Sequence, residues 1–322
     1  MSLDKPRIGL IGVGLMGHGI AKNLRIHGFP LTVVANRNRA PVDDILRQGA
    51  TEASSPADAA GRSDILFICV TGSAQVEELM HRPDGILEGA REGLIVVDTS
   101  TSEPASTARL AAELAERGAI LVDAPLTRSA AEAEAGKLNT LVGATDEIFA
   151  RLKPVMEAYC ENIFHVGGPG CGHTLKLINN FLSLGLCSLI SEAVITAAKS
   201  DIDVQKLYEV VSAGPVSGPL LRTLVPKALN GEFDGMKFQL ANALKDLRYY
   251  AHLIEGLGNV SVLGQAVQQS FALANTLGYG DRYVPSLIEA QAHLHGLDVT
   301  KLGRRAAGVS NDTERSERNV VA

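Results

Sequence analysis

The stretch Arg7-Ile-Gly-Leu-Ile-Gly12-Val-Gly14-Leu-Met-Gly17 decides how the first part of the chain folds. Its apolar start predicts a β-strand, and the residues after Gly17 have the apolar spacing of a helix. A GxGxxG motif between a strand and a helix is typical of a dinucleotide-binding loop. Gly12 permits the tight turn, Gly14 lets the backbone approach a pyrophosphate, and Gly17 allows the helix to pack closely on the strand. The helix N-terminus then faces the negative charge of the pyrophosphate.

The rest of the first half alternates strand and helix patterns. Strands are predicted at Arg7–Ile11, Leu31–Ala35, Ile65–Val70, Leu94–Asp98 and Ile120–Asp123. Helices are predicted between them, at Gly17–His27, Pro41–Gly49, Ala74–His81 and Pro104–Arg117. This alternation favours an α/β fold, a Rossmann-type doubly wound parallel sheet.

The second half has a different pattern. From about Leu175 onward strand signals vanish and long segments with helical apolar spacing follow, broken at Gly214–Pro219, Asn230–Gly235 and Gly278–Pro285. We therefore expect an all-helical C-terminal domain. The turn-rich sequence Val166–Gly172 marks the boundary, which gives a Rossmann domain at residues 1–166, a helical substrate and dimerisation domain at 167–300, and a polar tail at 301–322.

Composition limits the class of protein. A chain of 322 residues has room for two domains, and 46% hydrophobic with 20% charged residues is ordinary globular usage. The net charge of −6 argues against binding of nucleic acid or of an anionic membrane by charge. We expect neither partner.

Cysteine usage and the apolar segments point to the cytoplasm. The four cysteines, Cys69, Cys160, Cys171 and Cys187, lack the paired spacing of zinc ligands, so no metal site is expected. They are also too few to form a disulfide framework. Glycines interrupt the apolar run near the N-terminus, which disfavours a signal peptide. The apolar stretch Leu175–Ala198 contains polar and charged residues and therefore predicts a buried helix rather than a membrane span.

The end of the second predicted strand bears on cofactor choice. An NAD-selective site usually places Asp or Glu there, on the ribose 2′-hydroxyl, but this chain has Asn36 and Arg37, with Arg39 nearby. A guanidinium donates charge-assisted hydrogen bonds to phosphate oxygens, so the pattern predicts a preference for NADP(H). The alternative is that both arginines are solvated surface charges.

A polar stripe lies on the predicted helix that begins near Gly172. Gly172, Lys176 and Asn180 are four residues apart, and Asn179 and Ser183 fall nearby. An ammonium held among apolar side chains loses hydration, which lowers its pKa and suits it to proton exchange. On these residues alone, a lysine that extends to solvent at the helix edge is an equally good interpretation.

Four segments in register carry a family resemblance. They are the glycine loop, Asp98-Thr-Ser-Thr-Ser-Glu-Pro104, Asp123-Ala-Pro-Leu-Thr-Arg-Ser129 with Gly136-Lys-Leu, and Gly167-Gly-Pro-Gly-Cys-Gly-His-Thr-Leu-Lys176-Leu-Ile-Asn-Asn180. Over residues 7 to 296 the chain resembles the β-hydroxyacid dehydrogenase family, which includes 3-hydroxyisobutyrate dehydrogenases, tartronate semialdehyde reductases and sulfolactaldehyde reductases. The resemblance implies hydride transfer between NADP(H) and a small β-hydroxyacid or aldehyde acid, in a homodimer or homotetramer.

The resemblance also implies roles for individual residues. Lys176 would exchange a proton with the substrate oxygen and Asn180 would hold the substrate. The other substrate-binding residues implied are Thr127, Arg128, Ser129 and Lys245. The cofactor-binding residues implied are Gly12, Gly14, Leu15, Met16, Gly17, Asn36, Arg37, Val70, Thr71, Thr101, Lys245 and Asp246. For Lys245 and Asp246 alone, an ordinary surface ion pair would be the commoner explanation.

One segment departs from the family pattern. Most members have Ser-Gly-Gly where this chain has Thr127-Arg128-Ser129. The sulfolactaldehyde reductase branch also has an arginine at the position of Arg128, which could hold a sulfonate or a second carboxylate. The alternative is that Arg128 lies away from the pocket.

Two other functions compete with the oxidoreductase. A related imine reductase would usually have Asp or Tyr at the position of Lys176. A non-catalytic NADP-binding scaffold or redox sensor would not need Lys176 and Asn180.

Overall fold

The computed structural model describes residues 5–302. Within them the chain forms nine strands: β1 (Ile8–Ile11), β2 (Leu31–Val34), β3 (Thr51–Ala53), β4 (Ile65–Ile68), β5 (Ile95–Asp98), β6 (Ile120–Asp123), β7 (Leu126–Thr127), β8 (Leu138–Gly143) and β9 (Cys160–Gly167).

The same residues form the helices α1 (Gly17–Ile26), α2 (Ala40–Arg47), α3 (Pro56–Arg62), α4 (Ser73–His81), α5 (Ile86–Gly89), α6 (Pro104–Ala115), α7 (Ala130–Glu134), α8 (Asp146–Met156), α9 (Cys171–Lys199), α10 (Val204–Ser212), α11 (Pro219–Leu229), α12 (Leu240–Gly256), α13 (Val262–Ala274) and α14 (Leu287–Leu294). The five strands and four helices predicted for the first half are all present. Short helical turns occupy Asn275–Tyr279, Val284–Ser286 and Val299–Lys301.

All nine strands belong to one sheet. Its order is β3-β2-β1-β4-β5-β6-β8-β7, with β9 paired to β8. The first six are parallel, β8 is antiparallel to β6, and β9 is parallel to β8. The order 3-2-1-4-5-6 is that of the dinucleotide-binding fold, which confirms the Rossmann prediction.

The parallel strands are buried on both faces. Leu10, Phe67 and Val97 belong to the core on one side of the sheet, and their chain neighbours Ile11 and Ile68 belong to the core on the other side. Because side chains alternate along a strand, helices can cover both faces only if nearly every strand residue is apolar. This explains the continuous apolar runs in the sequence.

The chain divides into two compact units. The first contains residues 1–183 and 244–268, and the second contains 184–243 and 269–322, each described within residues 5–302. This division differs from the expected boundary at 166/167, because the start of α9 packs against β6 and β8 and belongs with the sheet. The expected tail lies outside the described residues from position 303 onward.

The second unit is helical, as predicted for the C-terminal half. Its core contains Val194, Ile195, Leu221, Val225 and Ile288, which are all buried. The three breaks predicted from the sequence fall at the ends of helices, for example between α10 and α11. An isolated bridge between Gln239 and Tyr283 is its one strand-like pairing among the described residues.

Among residues 5–302, one helix, α9, is long and apolar enough to span a membrane by length and composition. Core helices of soluble proteins pass the same test, and 39% of its most apolar window is buried in this structure.

Gly172 lies where α9 meets the sheet. A Cβ atom there would lie 2.4 Å from the carbonyl oxygen of Leu141 and 2.7 Å from that of Asp123, and neither backbone atom can move cheaply. We predict that Gly172→Ala lowers the free energy of unfolding by about 1–3 kcal/mol, as overpacking typically does. Urea denaturation of the variant and the parent protein measures this difference in the free energy of unfolding.

Gly168→Ala is the matched control, because a Cβ atom at Gly168 would meet nothing within 4 Å. Its free energy of unfolding should equal or slightly exceed that of the parent protein. Equal stability of the two variants would contradict the close contact at Gly172.

Candidate active site

The glycine loop between β1 and α1 has the geometry of a dinucleotide site. Gly12 has φ +100°, and a Cβ atom there would lie 2.1 Å from the carbonyl oxygen of Cys69. A Cβ atom at Gly17 would lie 1.9 Å from the carbonyl oxygen of Gly12, whereas Gly14 faces open space. The first and third glycines are therefore required for packing, and the second leaves the backbone open to a ligand.

A cavity of about 860 Å³ lies at the carboxyl ends of the strands. It is lined by Gly12, Val13, Gly14, Leu15, His18, Val34, Asn36, Arg37, Asn38, Ala40, Pro41, Val42, Asp44, Cys69, Val70, Thr71, Gln75, Ala130 and Glu134. The predicted residues Leu15, Val70 and Thr71 are among them, and Met16 and Gly17 follow in the same loop. The open backbone at Gly14 and the N-terminus of α1 fit a bound NAD(P) pyrophosphate.

The two arginines after β2 have different surroundings. Arg37 lines the cavity and is exposed. Its backbone N–H donates a 2.8 Å hydrogen bond to the Oδ1 atom of Asn36. Within the described residues Arg37 forms no ion pair. Arg39 instead donates two 2.9 Å hydrogen bonds to the carboxylate of Glu52 and a third to Asp43. The suggestion that Arg39 also reaches a 2′-phosphate is therefore not supported, because its guanidinium is already paired.

The start of α9 is fixed by Asp123 at the end of β6. Its buried carboxylate accepts hydrogen bonds from the backbone N–H groups of Gly170 (2.7 Å) and His173 (2.8 Å). Burial raises the pKa of Asp123, while these two hydrogen bonds and the nearby His173 act in the opposite direction. The His173 ring is fully buried, with Nδ1 2.7 Å from Thr107 Oγ1.

Lys176 lies one turn further along α9. Its side chain is partly exposed, yet it forms no hydrogen bond or ion pair within residues 5–302. Burial of the amine lowers the pKa of Lys176, the charge of Lys245 lowers it further, and the charge of Asp246 opposes the shift. The structure therefore combines an unpaired amine with a depressed pKa, which is what proton exchange near neutral pH requires.

Asp246 connects α9 and α12. Its buried carboxylate accepts a 2.6 Å hydrogen bond from Asn180 Nδ2 and another of 2.6 Å from Lys245 Nζ. Lys245 also donates a 3.3 Å hydrogen bond to the carbonyl oxygen of Thr101. The structure thus brings together Lys176, Asn180, Lys245 and Asp246, and a hydrogen bond joins Lys245 to Thr101, a contact that the sequence analysis did not predict.

Tyr249 completes this arrangement and was not found by sequence reasoning. Its ring lies under the Lys245 ammonium, 4.5 Å from Nζ, and its hydroxyl is hydrogen-bonded to Ser73. A Cβ atom at Gly72 would lie 2.9 Å from both Lys245 Nζ and the Tyr249 hydroxyl. The loop from Val70 to Ser73 therefore packs directly on α12.

The segment after β6 differs from the substrate-binding segment that the resemblance implied at residues 127–129. Ser129 caps α7, because its side-chain oxygen accepts a hydrogen bond from the backbone N–H of Ala131, and its own backbone N–H donates to the Glu132 carboxylate. The Arg128 guanidinium lies 2.5 Å from both the Glu161 carboxylate and the carbonyl oxygen of Lys137. A substrate anion would have to displace both contacts, so the structure favours the alternative in which Arg128 lies outside the pocket.

Arg128 also has φ +79°, in the left-handed region that favours glycine. The glycine that most of the family has at this point therefore matches the backbone conformation. Thr127 ends β7, where it pairs with Asn139 of β8. No described residues form a group of three or more His, Cys, Asp or Glu side chains that could hold a metal ion.

Asp246 gives a prediction about Lys176. The substitution Asp246→Asn removes the negative charge that opposes the desolvation of Lys176, so the pKa of Lys176 should fall further below the ordinary lysine value. The pH dependence of amine labelling at Lys176, quantified by mass spectrometry, measures this. The control is Asp234→Asn, which removes a carboxylate paired with Lys227 and should leave the pKa of Lys176 unchanged. If the pKa of Lys176 does not move in Asp246→Asn, then Asp246 and Lys176 do not interact.

Comparison with known proteins places the chain in a family. Residues 7–167 match the family model described as the NAD binding domain of 6-phosphogluconate dehydrogenase, and residues 170–290 match the one described as NAD-binding of NADP-dependent 3-hydroxyisobutyrate dehydrogenase. The chain is 30% identical to 2-(hydroxymethyl)glutarate dehydrogenase of Eubacterium barkeri, over 91% of this chain and 97% of the relative. It is also 30% identical to 3-sulfolactaldehyde reductase of Escherichia coli, over 88% of this chain and 94% of the relative.

A solved structure agrees with this placement. The crystal structure of 3-hydroxyisobutyrate dehydrogenase from Salmonella typhimurium is 27% identical, covers 88% of this chain and 99% of its own, and superposes with a TM-score of 0.76. The fold and the relatives agree, and the chain belongs to the β-hydroxyacid dehydrogenase family, as an NAD(P)-dependent oxidoreductase acting on small hydroxyacids.

Proposed function

We propose that the protein interconverts a small β-hydroxyacid and the corresponding aldehyde acid, with NADP(H) as cofactor and Lys176 as the proton donor and acceptor. The observation that carries this proposal is the unpaired amine of Lys176, with its lowered pKa, beside the Asn180–Asp246–Lys245 network. When bound, NADP(H) supplies or accepts the hydride at the substrate carbon.

Each residue of the site has a distinct part in this chemistry. In reduction the Lys176 ammonium donates a proton to the carbonyl oxygen, and in oxidation the neutral amine accepts the hydroxyl proton. Asn180 keeps one N–H free for substrate, because its other N–H is used on Asp246 and its side-chain oxygen already accepts a 3.4 Å hydrogen bond from Asn179 Nδ2. Asp246 and Lys245 hold the position of Asn180 and of the backbone at Thr101.

The relatives, rather than Arg128, support the substrate class that we propose. Two relatives that are 30% identical to this chain are named for a dicarboxylate and a sulfonate, so we propose a substrate that carries either a second carboxylate or a sulfonate. Arg128 is not needed for this proposal, since its guanidinium is already paired with Glu161. The cations beside Asn180 are Lys176, which is unpaired within residues 5–302, and Lys245, which is paired with Asp246.

Initial rates with an aldehyde-acid panel test the reaction: tartronate semialdehyde, methylmalonate semialdehyde, sulfolactaldehyde, succinic semialdehyde and glyoxylate. Lys176→Ala should lower kcat by about 10²–10⁴. Because the pKa of Lys176 is depressed, reduction should slow as pH rises through that pKa, and oxidation should quicken over the same interval. The measurement is kcat against pH in both directions.

Lys153→Ala is the matched control, because Lys153 is an exposed lysine whose carboxylate partner, Glu157, lies 3.9 Å away. It should leave kcat and the pH profile unchanged. Full activity of Lys176→Ala would exclude the proton-transfer role, and turnover of none of the five aldehydes by the parent protein would favour a non-catalytic NADP-binding protein.

The NADP preference is supported by Arg37, which lines the cavity without an ion-pair partner, and by the neutral Asn36 beside it. A 2′-phosphate would find a free guanidinium there, whereas a 2′-hydroxyl would find no carboxylate.

Arg37→Ser should raise the KM for NADPH about tenfold or more, the usual loss for a hydrogen bond to a charged group, and should change the KM for NADH little. Steady-state kinetics with both cofactors measures this. Arg39→Ser is the matched control and should not alter the ratio of the two KM values, because Arg39 is bound to Glu52. Equal KM values for NADPH and NADH in the parent protein would remove the cofactor assignment.

We also propose a cytoplasmic homodimer or homotetramer. The exposed side of α9 carries Leu182, Leu186 and Leu189, which are 60%, 46% and 65% exposed in the isolated chain. Three large apolar side chains at helical spacing are typical of a surface that another subunit covers.

A further inference from the structure

Two carboxylates line the cofactor cavity, which is unexpected for a site that binds a polyanion. Asp44 of α2 and Glu134 of α7 both contribute to its wall. A negative charge there opposes the binding of phosphates unless a cation neutralises it. The residue that contacts both carboxylates is His18, in the first turn of α1.

The imidazole of His18 bridges the two carboxylates. Its Nδ1 atom lies 2.5 Å from Glu134 Oε1, and its Nε2 atom lies 3.0 Å from Asp44 Oδ2. An imidazole can donate from both nitrogens only when it is protonated. Burial lowers the pKa of His18, but its hydrogen bonds and charge interactions with Glu134 and Asp44 raise it more, so that the net pKa lies above the ordinary value.

Cationic side chains also lie near the two carboxylates that contact His18. Lys22 of α1 lies 3.1 Å from Glu134 Oε2, and Arg47 of α2 lies 2.9 Å from Asp44 Oδ1. Arg37 lines the same cavity. Of these cations, only His18 can lose its charge near neutral pH, because lysine and arginine titrate far higher.

The bridge has a rigid support. A Cβ atom at Gly19 would lie 2.3 Å from the carbonyl carbon of Ala133, so α1 and α7 pack backbone against backbone beside His18. The backbone at Glu134 therefore cannot move away from α1 without separating the two helices.

We propose that His18 is a specificity-determining residue for the 2′-phosphorylated cofactor, because its imidazolium is the one cation that can lose its charge among those of residues 5–302 that offset Asp44 and Glu134 in the cavity wall. Loss of that proton leaves the wall more negative, which disfavours the dianionic 2′-phosphate more than the 2′-hydroxyl. Selectivity for NADP over NAD therefore falls as pH rises through the pKa of His18. The inference rests on the NADP preference proposed above.

Isothermal titration calorimetry with NADP⁺ and NAD⁺ tests this from about pH 6.5 to pH 9, because the pKa of His18 lies above the ordinary histidine value of 6.5. In the parent protein the ratio of Kd for NAD⁺ to Kd for NADP⁺ should fall about fivefold across this range, as expected for one charge acting in partly screened surroundings. In His18→Gln the ratio should be low at every pH. Protonation of the 2′-phosphate itself affects His18→Gln and the parent protein equally, so the comparison of the two removes its contribution.

Lys22→Gln is the matched control, because Lys22 pairs with the same Glu134 but does not line the cavity. It should keep the pH-dependent fall. Glu134→Gln retains His18 while removing one of its two carboxylate partners, so the fall should move to lower pH.

The outcomes separate this inference from the cofactor proposal. If the parent protein prefers NADP⁺ but His18→Gln shows the same pH dependence, the role of His18 is wrong and the cofactor preference stands. If the parent protein binds NADP⁺ and NAD⁺ equally at every pH, both are wrong.

Discussion

The attachment of α9 to the sheet depends on one carboxylate. Asp123 is fully buried at the end of β6 and accepts the N–H groups of Gly170 and His173. Burial of that charge is unfavourable, and the hydrogen bonds together with the positive N-terminal end of α9 offset it. Because Lys176 and Asn180 follow on the same helix, their position relative to the strand ends is set by this contact.

The sequence predicted the sheet well where local rules apply. Strong apolar runs and the glycine geometry at Gly12 and Gly17 require little tertiary information, so β1 and α1 could be placed within a residue or so. The strands β8 and β9 were not predicted. Most of β9 is only partly buried, with Phe164 48% exposed, so it lacks the alternation that identifies a half-buried strand.

The site was predictable along one helix but not between helices. The spacing of Lys176 and Asn180 shows that they share a side of α9, whereas the partner of Asn180 is 66 residues away on α12. The same limit applies to His18 and Glu134, which are 116 residues apart, and to the pairing of Arg128 with Glu161. Long-range ion pairs leave no periodic signal, so charges on exposed loops cannot be assigned from one sequence.

The shared carboxylate of Asp246 has an evolutionary consequence. Asn180 and Lys245, from distant parts of the chain, donate to the same acceptor, so a change in any one of the three removes at least one hydrogen bond from a buried polar group. Single changes are therefore selected against even when the new residue is chemically acceptable by itself. Among descendants of this chain, the three positions should be inherited or replaced as one covarying set.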